Sequence, residues 1–277
     1  MNTFEFSIFV LSGSFVAGFL GALTGLGGGV VIVPLLSLLL GVDIRYAIGA
    51  SLVSVIATSS GAAAAYVREG YSNIRVGMFL EIATTLGAIA GASFAARLST
   101  GVIAVIFGAV LLYSSYLSNR ERHGRQAEKP DRLAGILKMD SSCPSASGPQ
   151  TYYVHNIPAG FGLMFGAGAL SGLLGIGSGA VKVIAMDRAM KIPFKVSTTT
   201  SNFMIGVTDA ASAGVYLSRG YIHPSVAMPV MLGVLGGAFL GSKVLVHAPV
   251  KILRIVFALV IFVLAVEMIV NGVLGKV

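Results

Sequence analysis

Residues 15–107 can be laid onto residues 165–257 without a gap, and this self-similarity limits the chain more than any other feature. At an offset of about 150 residues, Gly18 meets Gly168, Leu23 meets Leu173, Val31 meets Val181 and Ser51 meets Ser201. Further on, Thr58 meets Thr208, Tyr66 meets Tyr216, Gly70-Tyr71 meets Gly220-Tyr221, Gly87-Ala88 meets Gly237-Ala238 and Gly91 meets Gly241. About 22 of about 93 positions are identical, where unrelated apolar sequences give about half that. The chain is a duplication. At its centre stand two glycine clusters, Gly25-Leu26-Gly27-Gly28-Gly29 and Gly175-Ile176-Gly177-Ser178-Gly179, each interrupting a long apolar run.

The repeated unit is too apolar for water. The chain is 55% hydrophobic and 11% charged with mean hydropathy +0.88, against roughly 25% charged residues in a soluble domain. Apolar segments fall at 6–24, 29–41, 47–67, 75–97 and 100–118, and again at 157–174, 180–191, 196–217, 224–246 and 250–271. The fold class is therefore an all-α polytopic membrane protein, with the lipid bilayer as its first partner. With no Trp, the interfacial aromatic belt falls to Tyr and Phe, such as Tyr113, Tyr116, Tyr152 and Tyr153. Residues Met1 to Leu11 lack a basic n-region and read as the start of the first membrane helix rather than a cleaved signal. The net charge of +8 comes without a basic-aromatic stripe, which excludes nucleic acid as a partner. The one cysteine, Cys143, reads as a free thiol in a polar loop.

Three parts follow: a first transmembrane repeat at 1–118, a connecting loop at 119–156 and a second repeat at 157–277. The loop carries Arg120, Arg122, Arg125, Lys129, Arg132 and Lys138 among the breakers Pro130, Pro144, Gly148 and Pro149, so it lies outside the membrane. Its side is set by counting Lys and Arg. If each repeat crosses an odd number of times, about 14 basic residues share the loop's side against about four on the other. An even number gives about ten against eight. The odd count predicts a cytoplasmic loop, both termini outside, and two repeats inverted relative to each other, which is the building plan of many secondary transporters.

The second segment of each repeat is short. Residues 29–41 make a helix of about 20 Å against a hydrocarbon core of about 30 Å, and Pro34 lies within it. Segments one and two of each repeat are thus expected to meet at a glycine break inside the membrane, and inversion brings the two breaks together near the midplane. Broken helices at that depth must pack in protein or line a cavity.

Each break starts a half-helix, at Val30 and at Ala180, whose unpaired N–H groups carry partial positive charge. Gly27, Gly28, Gly29, Gly177 and Gly179 let a ligand approach the backbone, Ser178 adds a hydroxyl, and Lys182 places an ammonium in an apolar run. Together they suit a small oxyanion. Ser51, Ser201 and Asn202, a turn or more inside the third helices, are candidates to line the same site; interhelical hydrogen bonding is the other use of such side chains. A dinucleotide reading of the Gly-x-Gly spacing fails for want of a strand before it and an acid about 20 residues after it. Two intramembrane carboxylates, Asp209 and Glu81, are candidates for ion coupling, Asp209 ahead of Glu81 because Glu81 lies nearer a helix end. Glu267 is expected at the interface, and His123, His155, His223 and His247 lie in or beside loops without metal-ligand spacing. No cofactor, metal or catalytic constellation is expected, and a membrane-embedded enzyme is set aside for lack of a nucleophile–base pair.

These residues carry a resemblance. Gly-Leu-Gly-Gly-Gly-Val-Val-Ile-Val-Pro at 25–34, Gly-Ile-Gly-Ser-Gly-Ala-Val-Lys-Val at 175–183, Thr-Ser-Asn-Phe at 200–203 and Tyr-x-x-x-Gly-Tyr-Ile at 216–222 resemble the TauE/SafE family of sulfite and organosulfonate exporters. The resemblance covers nearly the whole chain outside the central loop. Ser178 stands where the motif has a third glycine, and Ile184 where a proline would echo Pro34. The family implies export of a small sulfur oxyanion, organosulfonate or related carboxylate across the bacterial inner membrane, driven by an ion gradient. The residues themselves leave other readings open: an anion channel filtered by the same tips, a cation-coupled carrier of small carboxylates, and assembly as a homo-oligomer.

Overall fold

The computed structural model describes residues 3–24, 28–68, 72–118, 131–143, 150–245 and 250–276. The first repeat runs α1 (Thr3–Thr24), α2 (Gly29–Pro34), a π-helical stretch Leu35–Leu39, α3 (Ile44–Arg68), α4 (Ile74–Ala95) and α5 (Thr100–Ser118). A short helix α6 (Arg132–Ile136) and the antiparallel strands β1 (Ser141–Cys143) and β2 (Gln150–Tyr152) follow. The second repeat runs α7 (Ile157–Leu174), α8 (Gly179–Ile184), a π-helical stretch Ala185–Ala189, α9 (Phe194–Ser218), α10 (Pro224–Leu245) and α11 (Val250–Val273). The sequence offset survives in the fold, with α2, α3, α4 and both π stretches recurring residue for residue.

Pro34 does not cause the irregularity of its half-helix, because the second copy has the same π stretch with Ile184 in place of the proline. The two copies share their ending. Gly41 and Lys191 both adopt left-handed backbone, at φ 62 and 56, and the next N–H reaches back to Leu36 O and Met186 O at 3.0 Å in each case. That bond spans one residue more than the six-to-one bond of an α-helix terminator, as a preceding π-helical turn requires.

The first two helices of the first repeat run antiparallel. Gly28 lies against Gly18, and Gly13 against Leu35. In the second repeat Gly160 likewise lies against Met190, beyond the far end of α8. Each pair is a hairpin that returns to the side it started from. Between the repeats, α1 packs parallel to α10 and α4 parallel to α7, while α3 crosses α9 and α5 runs antiparallel to α11. The α4–α7 seam is backbone on backbone. A methyl at Gly87, Gly91, Gly168 or Gly172 would collide with the carbonyls of Phe165, Ala169, Thr84 and Ala88. Small residues allow this approach where lipid supplies no hydrophobic force between helices.

The outside is apolar. Phe4, Ile8 and Phe9 on α1, Met78, Ile82, Leu86 and Ile89 on α4, and Met228, Leu232 and Phe239 on α10 are exposed. They recur at helical spacing and form stripes that face away from the protein. Among the described residues, α1, α4, α7 and α10 each hold a stretch long and apolar enough to cross a membrane. With its faces reversed in this way, the chain is a helical membrane protein.

The central segment is more ordered than the loop expected from its breakers. Ala134, Met139, Tyr152 and Val154 pack with Val76, Leu80, Met186, Met190 and Ile192. Asn73 ties the segment to α4: its side chain caps Val76 N, and its Nδ2 donates to Met139 O at 3.0 Å and Tyr152 Oη at 2.8 Å. Arg75 Nη1 adds a bond to Lys138 O at 3.0 Å. Burial keeps the Tyr152 phenol above its ordinary pKa range. The remainder of the predicted loop, 119–130 and 144–149, lies outside the described residues.

Candidate functional site

The two glycine breaks meet. Ser51 Oγ, on α3, donates to Gly175 O at 2.7 Å, and a Cβ added to Gly29 would sit 3.0 Å from the same oxygen. Gly25, Leu26 and Gly27 lie outside the described residues, so the first tip is described from Gly28 onward. Gly28 O accepts the N–H groups of Val31 and Ile32 at 3.1 Å each. In the second tip Ser178 O does the same for Val181 and Lys182, at 3.0 and 3.1 Å. Gly175 and Gly177 adopt φ of +67 and +68, a turn that L side chains resist, and Ser178 holds φ 40 beside them.

Lys182 is wholly buried, and its ammonium points at α9. Nζ donates to Thr208 Oγ1 at 2.7 Å, and Thr208 Oγ1 lies 2.7 Å from Glu81 Oε1 on α4. Thr85 Oγ1 also donates to Glu81 Oε1, at 3.2 Å. Asp209, one residue beyond Thr208, accepts a bond from Ser171 Oγ on α7 at 2.6 Å. Four elements of the fold thus place one ammonium and two carboxylates beside the second tip.

The cluster is not saturated. Among the described residues, the buried oxygens without a hydrogen-bond partner include Ser178 Oγ, Asp209 Oδ2 and Glu81 Oε2. A Cβ added to Gly177 would lie 3.3 Å from Asp209 Oδ2, so that bare oxygen faces the tip. Buried polar groups in proteins are satisfied as a rule, and exceptions gathered in one place ask for a ligand or a mobile proton.

The sequence-predicted residues divide. Gly28, Gly29, Gly177, Ser178, Gly179, Lys182 and Asp209 come together at the tips. Ser51 stitches one tip to the other, and Ser201 Oγ donates to Gly179 O at 3.3 Å, so both hydroxyls are engaged with backbone. Asn202 is half-buried on α9, outside these bonds. Glu81 stands beside Lys182 through a shared hydroxyl, although its place along α4 had ranked it below Asp209. Glu267 is exposed on α11. His223 packs on the Tyr46 ring at 5.2 Å, while His123 and His247 lie outside the described residues. Among the described residues no group of His, Cys, Asp and Glu could hold a metal ion.

Two members of the cluster escaped the sequence reading, Thr208 and Ser171. The duplication held a signal for Ser171, whose equivalent is Gly21, and none for Thr208, which is identical to Thr58. Gly21, Gly28, Ile32, Ser59 and Met231 occupy the positions equivalent to Ser171, Ser178, Lys182, Asp209 and Glu81. Those equivalent positions, four in the first repeat and Met231 in the second, build the same helices without a charge at any of them. The fold therefore does not need the cluster.

Comparison with known proteins agrees with the fold. The family model for sulfite exporter TauE/SafE matches residues 10–268. The "Probable membrane transporter protein YunE" of Bacillus subtilis (strain 168) is 28% identical over 276 residues, covering 97% of this chain and 99% of that protein. The "Probable membrane transporter protein YdhB" of the same organism is 24% identical, covering 82% and 84%. An archaeal relative, the "Probable membrane transporter protein MJ0441" of Methanocaldococcus jannaschii, is 23% identical with 92% of each chain covered. No solved structure matches the chain. With its apolar helices and a family match spanning nearly its whole length, the chain is a multi-pass membrane transporter and belongs to the sulfite exporter TauE/SafE family.

Proposed function

We propose that the protein is a secondary transporter that exports a small oxyanion, a sulfite, organosulfonate or related anion, across the bacterial inner membrane by alternating access of inverted repeats. One observation carries this reading: the charged cluster of Lys182, Glu81 and Asp209 lies at the second glycine tip, and the positions equivalent to its three members, Ile32, Met231 and Ser59, carry no charge. The anion sits between the tips, held by backbone N–H groups, Ser178 and the Lys182 ammonium, with Asn202 and the Ser51 and Ser201 turns forming its walls. Asp209 and Glu81 handle the coupling ion.

Inversion is supported by the packing. Helices α5 and α11 are equivalent by sequence and run antiparallel, as a two-fold axis in the membrane plane requires. Each repeat then consists of a returning hairpin and three crossing helices, an odd number. Lys138 and Tyr152, in the described stretches of the central segment, bond Arg75 and Asn73, on the side richer in Lys and Arg, which supports a cytoplasmic loop with both termini outside.

The test is tracer flux of sulfite, sulfoacetate and a carboxylate control in proteoliposomes, with and without an imposed pH gradient. Saturable flux of the sulfur anions, reduced at least tenfold in Lys182→Ala and blocked in Gly28→Leu, is expected. A leucine at Gly28 would meet the Val234 side chain, 3.0 Å from an added Cβ. Normal uptake kinetics in both variants would remove the site from the tips, and flux that never saturates would make the protein a channel.

A further inference from the structure

Thr208 does something its repeat-one equivalent does not. Thr58 Oγ1 stays on its own helix, bonded to Ser54 O at 3.1 Å or Val55 O at 3.2 Å. Thr208 Oγ1 instead lies 2.7 Å from Lys182 Nζ and 2.7 Å from Glu81 Oε1, with Met204 O at 2.9 Å. An ammonium only donates, so the hydroxyl accepts from Lys182 and has one proton to give. Given to Glu81, that proton makes Thr208 the link between the buried cation and its counter-charge.

An anion at the second tip competes with Glu81 for Lys182. When it wins, Glu81 is a carboxylate in low dielectric without its counter-charge, and its second oxygen already lacks a partner. The charged groups bearing on this step are Lys182 from α8 and Asp209 from α9, with the hydroxyls of Thr84 and Thr85 on α4, Thr208 on α9 and Ser171 on α7 around them. Asp209 is held separately by Ser171, so Glu81 is the group released when Lys182 turns to the ligand.

We propose that Glu81, Thr208 and Lys182 form a charge-exchange relay that takes up one proton for each anion bound at the second tip. The proposal rests on the anion-site reading above and specifies its coupling. The proton comes from water on whichever side the site is open and lands on Glu81. For a monoanion the cluster then carries the same net charge before and after binding: Lys182, Asp209 and Glu81 before, Lys182, Asp209 and the anion after. Empty and loaded sites therefore present the same charge to the surrounding apolar helices.

The experiment is isothermal titration calorimetry of the full-length protein in detergent, with methanesulfonate as probe, in buffers of different ionisation enthalpy. Methanesulfonate does not titrate near neutral pH, whereas sulfite does. Uptake of one proton per anion is expected, with Kd tightening about tenfold per unit fall in pH across the window where the exchange occurs. In Glu81→Gln the proton count falls to zero and Kd no longer follows pH. Thr208→Ser keeps the proton uptake and Thr208→Val loses it, which separates a relay from a merely structural threonine. Binding without proton uptake in the unaltered protein, or equal uptake in Glu81→Gln, overturns the relay and leaves the anion site standing. No binding of methanesulfonate, sulfate or acetate overturns the anion site and the relay with it.

Discussion

Replacing Lys182 with the residue its own duplicate uses, Lys182→Ile, tests whether the cluster serves function or fold. Ile32 occupies the same place in α2 and is fully buried there, so the shape is acceptable to the scaffold. The cost is electrostatic. Removing one partner of a buried ion pair costs about 3–5 kcal/mol because the other charge is left uncompensated. Here the penalty has a ceiling, since Glu81 can neutralise itself. Protonating an ordinary glutamate at pH 7 costs about 3.7 kcal/mol, from a reference value near 4.3 and about 1.36 kcal/mol per unit. At roughly 2–4 °C per kcal/mol for a chain of this size, Tm should fall by about 7–15 °C. Adding Glu81→Met, the residue found at position 231, removes the orphaned carboxylate and should recover most of that loss, because apolar replacements of buried pairs are neutral or stabilising. Transport should be absent from both variants. A thiol-reactive dye can follow unfolding, because the single Cys143 is buried in the native fold. A double variant no more stable than Lys182→Ile would refute the pairing of Lys182 with Glu81. A Lys182→Ile protein that transports normally would refute the site.

The seam between α4 and α7 makes a sharper packing prediction. Gly91→Ala should cost about 1–3 kcal/mol, since its methyl meets the Ala169 carbonyl, whereas Gly166→Ala on α7, with open space around the added carbon, should be neutral or gain up to about 1 kcal/mol; thermal unfolding of the two variants side by side decides it. Asn73→Ala removes a helix cap and two bonds to the central segment, at about 1–2 kcal/mol for the cap. Hydrogen exchange should rise in residues 131–154 first, and exchange rising equally throughout the chain would show that the segment is not separately anchored.

Most of the helical plan was legible because two independent constraints agree. Apolar runs set the segments, and the gapless offset required each to recur; the predicted 157–174 is α7 to the residue. The short second segments could be recognised by length alone, since 11 residues from Gly29 to Leu39 cannot cross the apolar core. Lys182, Asp209 and Glu81 were visible because a charge in lipid needs a reason. Their pairing was not. Thr208 and Glu81 are 127 residues apart, and nothing along either helix says that α4 crosses α9 at that level. Thr208 was hidden for a different reason: it is identical to Thr58, and a hydroxyl bonded to its own helix looks the same in sequence as one bonded across an interface. Position along a helix ranks Glu81 below Asp209, but distance from a helix end says little about which neighbour covers a side chain, and Lys182 was not legible as the neighbour of Glu81. The central segment has strands of three residues, too short for any alternation to show.

On the proposed reading, the duplication also explains why each charge of the cluster occurs once, Lys182 and Asp209 in the second repeat and Glu81 in the first. A two-fold scaffold whose halves exchange conformations has two states of nearly equal energy, which suits a carrier that must return after each delivery. Placing the same charges in both halves would put two ammonium groups and four carboxylates around tips that already touch. Like charges at that separation in a dry interior repel strongly. On the proposed reading, confining the cluster to the second tip leaves Gly28 and Gly29 of the first as an uncharged surface against which a small anion can close. On the proposed relay, the cluster also determines what drives net flux. An anion leaving a cell with an inside-negative potential gains about 2.3 kcal/mol per charge per 100 mV, so an uncoupled carrier would already export it. A proton that travels with a monoanion cancels that gain, and net flux then follows the two concentration gradients, so export runs only while the outward gradient of the anion exceeds the inward gradient of protons. On the proposed relay, Glu81 decides whether membrane potential acts on transport, and Lys182 decides whether an anion is bound to be transported.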